Sequence, residues 1–130
     1  MKKLKPNIFA QACPSREIFA RISGKWTIMI LLCLEETPKR FNELKKAIDG
    51  ISQKVLTENL RSLERDGLIL RKVISSRPIK VEYSSTHLSK ELLGILNGLK
   101  DWTEDSMKLI LRHNENYDRA LIEEQIRKSA

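Results

Sequence analysis

Histidine and cysteine are scarce in this chain, two of each in 130 residues. Cys13 and Cys33 form no CxxC pair and have no histidine near them in sequence, so neither a zinc site nor a disulfide framework is expected. His87 and His113 have no nucleophile, glycine-rich phosphate loop or ligand cluster beside them. No catalytic residue, metal or cofactor is therefore expected, and the chain does not read as an enzyme. Long apolar runs are missing too. The longest, Ile28 to Leu34, falls short of the roughly 18 to 20 residues that span a bilayer, so no membrane partner is expected. The basic start, Met1 to Lys5, is not followed by an apolar signal core, and a cytoplasmic protein is expected. Proline and glycine number four and five, few enough for most to act as punctuation.

Positive charge is what the chain has in excess. The net charge is +7, with 41% hydrophobic residues, enough for one core. From Met1 to Thr86 there are 17 Lys and Arg against 9 Asp and Glu; from His87 onward there are 7 against 8. A basic portion joined to a near-neutral one is the footprint of a nucleic-acid binder, although solubility alone is the other reading of such charge.

The order of elements is readable. Pro14 can open a helix carrying Ile18, Phe19 and Ile22, which Gly24 ends. A second helix over Lys25 to Leu34 is apolar nearly all round and belongs at the centre of a core, with Cys33 inert within it. A connection through Pro38, with room for a short strand, leads to a third helix over Asn42 to Ile48. Asp49-Gly50 stops it. Ser52 is a good N-cap for a fourth helix to Asp66, with Ile51 and Leu56 at the two positions of a hydrophobic staple. Leu56, Leu60 and Leu63 share its inward face, while Lys54, Glu58, Arg61 and Arg65 face away. A hairpin follows: Leu68 to Ile74, a turn at Ser75 to Pro78, and Ile79 to Tyr83. Leu88, Leu92, Ile95, Leu99, Trp102 and Ile110 then mark a helix–helix seam on a long helix ending near Arg112. Gly94 and Gly98 on that helix allow close approach of another. A separate amphipathic helix is expected over Tyr117 to Lys128.

Two short helices, joined tightly and followed by a basic hairpin, match a helix-turn-helix with a wing. The second helix of such a unit enters the major groove by its N-terminal residues. Gln53 can pair with an adenine edge, Lys54 or Arg61 with guanine, and Thr57 with a thymine methyl or a phosphate. Arg77 at the wing tip suits a narrow minor groove, and the remaining cations, Lys80 among them, suit phosphates. Each surface alone could be a solvated helix face or a structural ribbon. Their adjacency, order and shared charge favour double-stranded DNA as partner.

At these residues the sequence resembles the HxlR-type winged helix-turn-helix regulators, relatives of the MarR group. The resemblance rests on Cys13-Pro14, Gly24-Lys25-Trp26-Thr27, Arg40-Phe41-Asn42-Glu43-Leu44, Gly50 to Thr57, Leu60 to Leu68, and Val81-Glu82-Tyr83-Ser84. It implies a mainly α fold with a small β-hairpin wing, flanked by N- and C-terminal dimerisation helices. It implies a homodimer on pseudo-palindromic operators, with Gln53, Lys54 and Thr57 near bases, Lys25, Arg40 and Arg61 near phosphates, and Ser52 at the start of the reading helix. The domain reading is an arm over 1-12, a DNA-binding domain over 13-86 and a dimerisation segment over 87-130. In some members a cysteine at the position of Cys13 senses oxidants, which makes an oxidant or small molecule the expected effector. The family's usual Leu-Thr-Pro/Glu-Leu-Gly after the wing is replaced here by Ser85-Thr86-His87-Leu88-Ser89, which alters the cap of the long helix.

The rival reading is a winged-helix module that binds protein instead of DNA. Such a surface should carry exposed apolar anchors, and none is expected on the fourth helix or the wing. Trp26 and Trp102 read as core or interface anchors.

Overall fold

The computed structural model describes residues 5–130; the first four residues of the expected arm lie outside it. Five helices and three short strands follow in the order α1 (Pro14–Ile22), α2 (Lys25–Cys33), β1 (Lys39–Arg40), α3 (Phe41–Ala47), α4 (Gln53–Arg65), β2 (Ile69–Ser76), β3 (Ile79–Ser85) and α5 (His87–Ser129). This is a winged helix-turn-helix fold. The strands form one antiparallel sheet in the order β1-β3-β2. The chain divides into two compact units, one ending at Leu96 and the other Asn97–Ala130.

The core lies in the first unit. Ile30, Leu31 and Leu34 of α2 and its cap meet Leu44, Ile48 and Ile51 of the helix-turn-helix. Leu56, Leu60 and Leu63 of α4, with Leu68, Ile69, Leu93 and Leu96, complete the cluster. The expected all-round burial of α2 is not observed. Met29 is exposed, and Leu32 and Cys33 are half-buried beside Ala47 and Ile48. The core covers one side of α2, and α3 is too short to cover the other. Desolvation at this partly covered site pushes the Cys33 thiol up.

Local chemistry sets the ends of α4. Ser52 Oγ accepts a hydrogen bond from the Val55 N–H at 3.1 Å, and Ile51 and Leu56 are buried together as a staple requires. At the other end Gly67 has φ +76°. Its N–H donates to the Glu64 carbonyl, and that of Leu68 to Leu63. These two bonds, with Leu63 and Leu68 both buried, form a Schellman stop, in which glycine supplies the left-handed backbone. Gly50, at φ +83°, also supplies left-handed backbone, in the turn between α3 and α4 where the Ile51 N–H donates to the Ile48 carbonyl.

Side chains then tie α4 to its neighbours. The buried Thr27 hydroxyl donates to Asn59 Oδ1 at 3.0 Å, and Asn59 Nδ2 donates to the Val55 carbonyl. The Arg21 guanidinium donates two 2.9 Å hydrogen bonds to Asp66, joining α1 to the end of α4. Thr86 Oγ1 donates to the Gly67 carbonyl at 2.7 Å and accepts from the Ser89 N–H, while the Ser89 hydroxyl accepts from the Thr86 N–H. The departure Ser85-Thr86-His87-Leu88-Ser89 is thus a reciprocal cap.

Two further expectations are corrected. The hairpin turn is shorter than Ser75 to Pro78: Ser75 and Ser76 pair with Lys80 and Ile79, leaving Arg77-Pro78 at the tip. A register irregularity between Val73 and Ser75 absorbs the odd residue. The last helix is not separate either. α5 runs unbroken from His87 to Ser129, because the sequence holds no glycine or proline after Gly98. Asn114 to Asn116 are polar but compatible with a helix.

Candidate nucleic-acid interface

The fold presents α4 with its apolar stripe inward and its polar side to solvent. Gln53 and Lys54 stand exposed in its first turn. Thr57, one turn later, donates its hydroxyl proton to the Gln53 carbonyl at 2.8 Å. Its methyl group and oxygen lone pairs remain for a ligand. Arg61 follows one further turn on. Ser52, expected among the contact residues, uses its hydroxyl oxygen to cap the helix.

Other predicted residues lie on neighbouring elements. Lys25 opens α2, with its ammonium 4.5 Å from the Trp26 ring centroid, an electrostatic contact between cation and π face. Arg40 ends β1, opposite Glu82 of β3. Its N–H donates to the Glu43 carboxylate at 3.0 Å, which starts α3. Arg77 stands at the tip of the wing and Lys80 opposite Ser75.

The cations of this surface are not spent internally. Among the described residues, ion pairs engage Arg21, Lys100 and Lys128; Lys54, Arg61, Arg65, Arg71, Lys72, Arg77 and Lys80 take part in none. No cluster of His, Cys, Asp or Glu able to hold a metal occurs among the described residues. No helix among them is long and apolar enough to cross a membrane.

Two features were missed. Arg71 and Tyr83, paired across the wing, line a cavity of about 360 Å³ together with Thr57 and Arg61 of α4. Strand alternation carried the signal: Arg71 follows the buried Ile69 on the same face of β2. The second feature corrects the expectation of no apolar anchors. Leu70, Val73, Ile74 and Ile79 of the wing are exposed, Ile79 at 73%. The two-stranded ribbon extends past the core, and no third layer covers it.

Cys13 is half-buried at the N-cap of α1. Its Sγ lies 3.0 Å from the Ser15 hydroxyl and accepts from the Asn7 N–H at 3.4 Å. These bonds hold the thiol below its ordinary range, the Ser15 hydroxyl contributing most. The seam residues on α5 divide between the units. In the first, Leu92 is half-buried and Ile95 exposed; with Ile18, Ile22, Leu68 and Leu88 they border an apolar groove of about 420 Å³. In the second, Leu99, Trp102 and Ile110 are exposed, Trp102 at 60%.

Known proteins share this architecture. The family model of the HxlR-like helix-turn-helix matches residues 21–110. The HTH-type transcriptional regulator YtfH of Escherichia coli (strain K12) is 37% identical over 105 residues, covering 81% of this chain and 83% of its own. The structure of the regulator YtfH from Salmonella typhimurium superposes with a TM-score of 0.80 at 34% identity, over 85% of this chain and 99% of that one. The redox regulator HypR in its reduced form gives a TM-score of 0.70 at 34% identity, over 76% and 98%. With the fold, the unpaired cations of α4 and its wing, and a family match over more than half its length, the chain belongs to the HxlR-like helix-turn-helix family and is a transcriptional regulator with a helix-turn-helix DNA-binding domain.

Proposed function

We propose that the protein acts as a homodimer on pseudo-palindromic double-stranded DNA, each copy placing α4 in the major groove and its wing on the backbone or minor groove. The observation that carries this reading is the exposed first turn of α4, capped at Ser52 and backed by unpaired cations on the helix and wing. Gln53, Lys54 and Thr57 read bases; Lys25, Arg40, Arg61 and Lys80 meet phosphates; Arg77 enters the minor groove. Residues 13-86 form the DNA-binding domain. Residues 87-130 pair two copies through Leu92, Ile95, Leu99, Trp102 and Ile110, setting recognition helices about 34 Å apart, one turn of B-DNA. The exposure of Ile95, Leu99 and Trp102 in a single copy supports this pairing.

The same reading makes Cys13 the point where an oxidant acts. Its thiol is held low by Ser15 and Asn7, and thiolate is the form that reacts. HypR, the redox regulator among the similar structures, supports this assignment. One fluorescence-anisotropy series tests both parts: DNA from the protein's own upstream region against scrambled DNA, at two salt concentrations, before and after peroxide. Salt-sensitive binding with at least ~10³-fold preference is expected. Peroxide should change the affinity of the wild type and leave Cys13→Ser unchanged. An equal response in Cys13→Ser removes the sensor role alone.

A second reading draws on the apolar wing. Exposed Leu70, Val73, Ile74 and Ile79 are the anchors a protein-docking module needs. Absence of DNA binding at low salt, with and without peroxide, would favour it.

A further inference from the structure

We infer that the cleft between α4 and the wing is a phosphodiester site, in which Arg61 and Arg71 close on one and the same backbone phosphate of bound DNA. The inference rests on the DNA-binding reading above and adds a residue, Arg71, and a shared target to it. The cavity of about 360 Å³ is lined by Phe41, Thr57, Leu60, Arg61, Glu64, Arg71 and Tyr83. Thr57, Leu60, Arg61 and Glu64 are spaced three and four apart, so they form one stripe of α4. The opposite wall is set by the sheet: Ile69 is anchored in the core, and Arg71 is the next residue on the same face, paired with Tyr83.

Charge and shape identify the ligand. Two guanidinium groups and one carboxylate line the cleft, a balance of one positive charge. A phosphodiester carries one negative charge and offers the oxygen pair that a guanidinium fork fits. Phe41 and Leu60 give the cleft an apolar floor, which strengthens the attraction by reducing screening. Position argues for backbone over base. Gln53 leads the helix, while Arg61 lies two turns behind it, beyond the N-terminal residues that reach base edges. Neither arginine belongs to an ion pair among the described residues.

The test is a double-mutant cycle on DNA affinity, with the salt slope read for each variant of the full chain. Arg61→Ala and Arg71→Ala should each weaken binding about tenfold per protomer. The double variant should lose clearly less than the product of the two, because both side chains serve one phosphate. Its salt slope should fall by about 0.9 per protomer, the value for one phosphate. Arg71→Lys should keep the slope and recover only part of the affinity. Multiplicative losses with a slope change of about 1.8 would overturn the shared site. So would wild-type affinity and slope in Arg71→Ala, with DNA binding itself intact. A wild-type protein that binds no DNA would instead remove the reading beneath. Both arginines are exposed, and circular dichroism of the variants checks that the fold survives.

Discussion

The two units of this chain are held together by different means. The unit ending at Leu96 buries a continuous apolar cluster and closes its element ends with side-chain and glycine caps. The unit Asn97–Ala130 is helical throughout to Ser129 and buries none of its residues. Its internal side-chain support is local: Lys100 with Glu104, Lys128 with Glu124, and the Thr103 hydroxyl to the Leu99 carbonyl. Contacts of this kind are weak, and a helix without tertiary packing is marginal in water. One unit thus contains its own reason to fold, while the other leaves Leu99, Trp102 and Ile110 exposed, the residues the proposed second copy would cover.

The largest effect should come from the core. Leu56, fully buried, should cost about 2–5 kcal/mol when replaced by alanine, read by urea unfolding. A loss below about 1 kcal/mol would mean the first unit does not depend on this cluster. Next in size is Leu99→Lys in the second unit. This leucine is exposed in a single copy, so the fold should persist. The dimer should weaken by about 2 kcal/mol or more in analytical ultracentrifugation, as for a central interface residue. A dimer of unchanged strength would show the seam to be misassigned. The smallest effects set two glycines against each other. Gly67→Ala places a Cβ in open space but on left-handed backbone, and should lower stability by about 1–2 kcal/mol. Gly98→Ala also meets open space, at ordinary helical φ, and should raise helix stability by up to about 1 kcal/mol. Gly98→Ala should show that gain when the protein is dilute. If it also weakens the dimer, the partner helix approaches closely at that point.

Much of the first unit was legible because its boundaries are written in local chemistry. Ser52, Gly50 and Gly67 announce the ends of α3 and α4 whatever surrounds them. The apolar stripe through Leu88, Leu92 and Ile95 was legible as a period, yet the stripe one residue on, Ser89, Leu93 and Leu96, about 100° around the helix, is what this copy buries. Periodicity finds apolar faces but not which partner each one meets. The join between Arg112 and Tyr117 was misread because polar residues look like a loop when no breaker is required. Cys33 does pack against the core, but only half-buried, because an apolar helix hides how far its neighbours cover it. At the candidate site, Gln53, Lys54 and Arg61 followed from helix geometry alone. Arg71 did not, since its position depends on the register of two strands and on where β2 crosses α4. The apolar wing was missed for a related reason: Val and Ile alternate equally well on a covered strand and on a bare one.

The attachments at the C-terminal end of α4 also constrain how the protein can respond to a signal. Arg21 grips Asp66 from α1, and Thr86 holds Gly67 from the start of α5. If Cys13 acts as proposed, a disturbance there would reach the first tie along α1, and a shift at the head of α5 would reach the second. Both arrive at the same end of a rod of 13 residues, about 20 Å long at 1.5 Å per residue. With the fulcrum there, a tilt of about 3° displaces the reading end by about 1 Å. That is enough to pull a hydrogen-bonding side chain out of reach of a base edge. The helix is therefore held at its C-terminal end by side chains from α1 and from the start of α5, while Gln53 and Lys54 stand exposed at its other end.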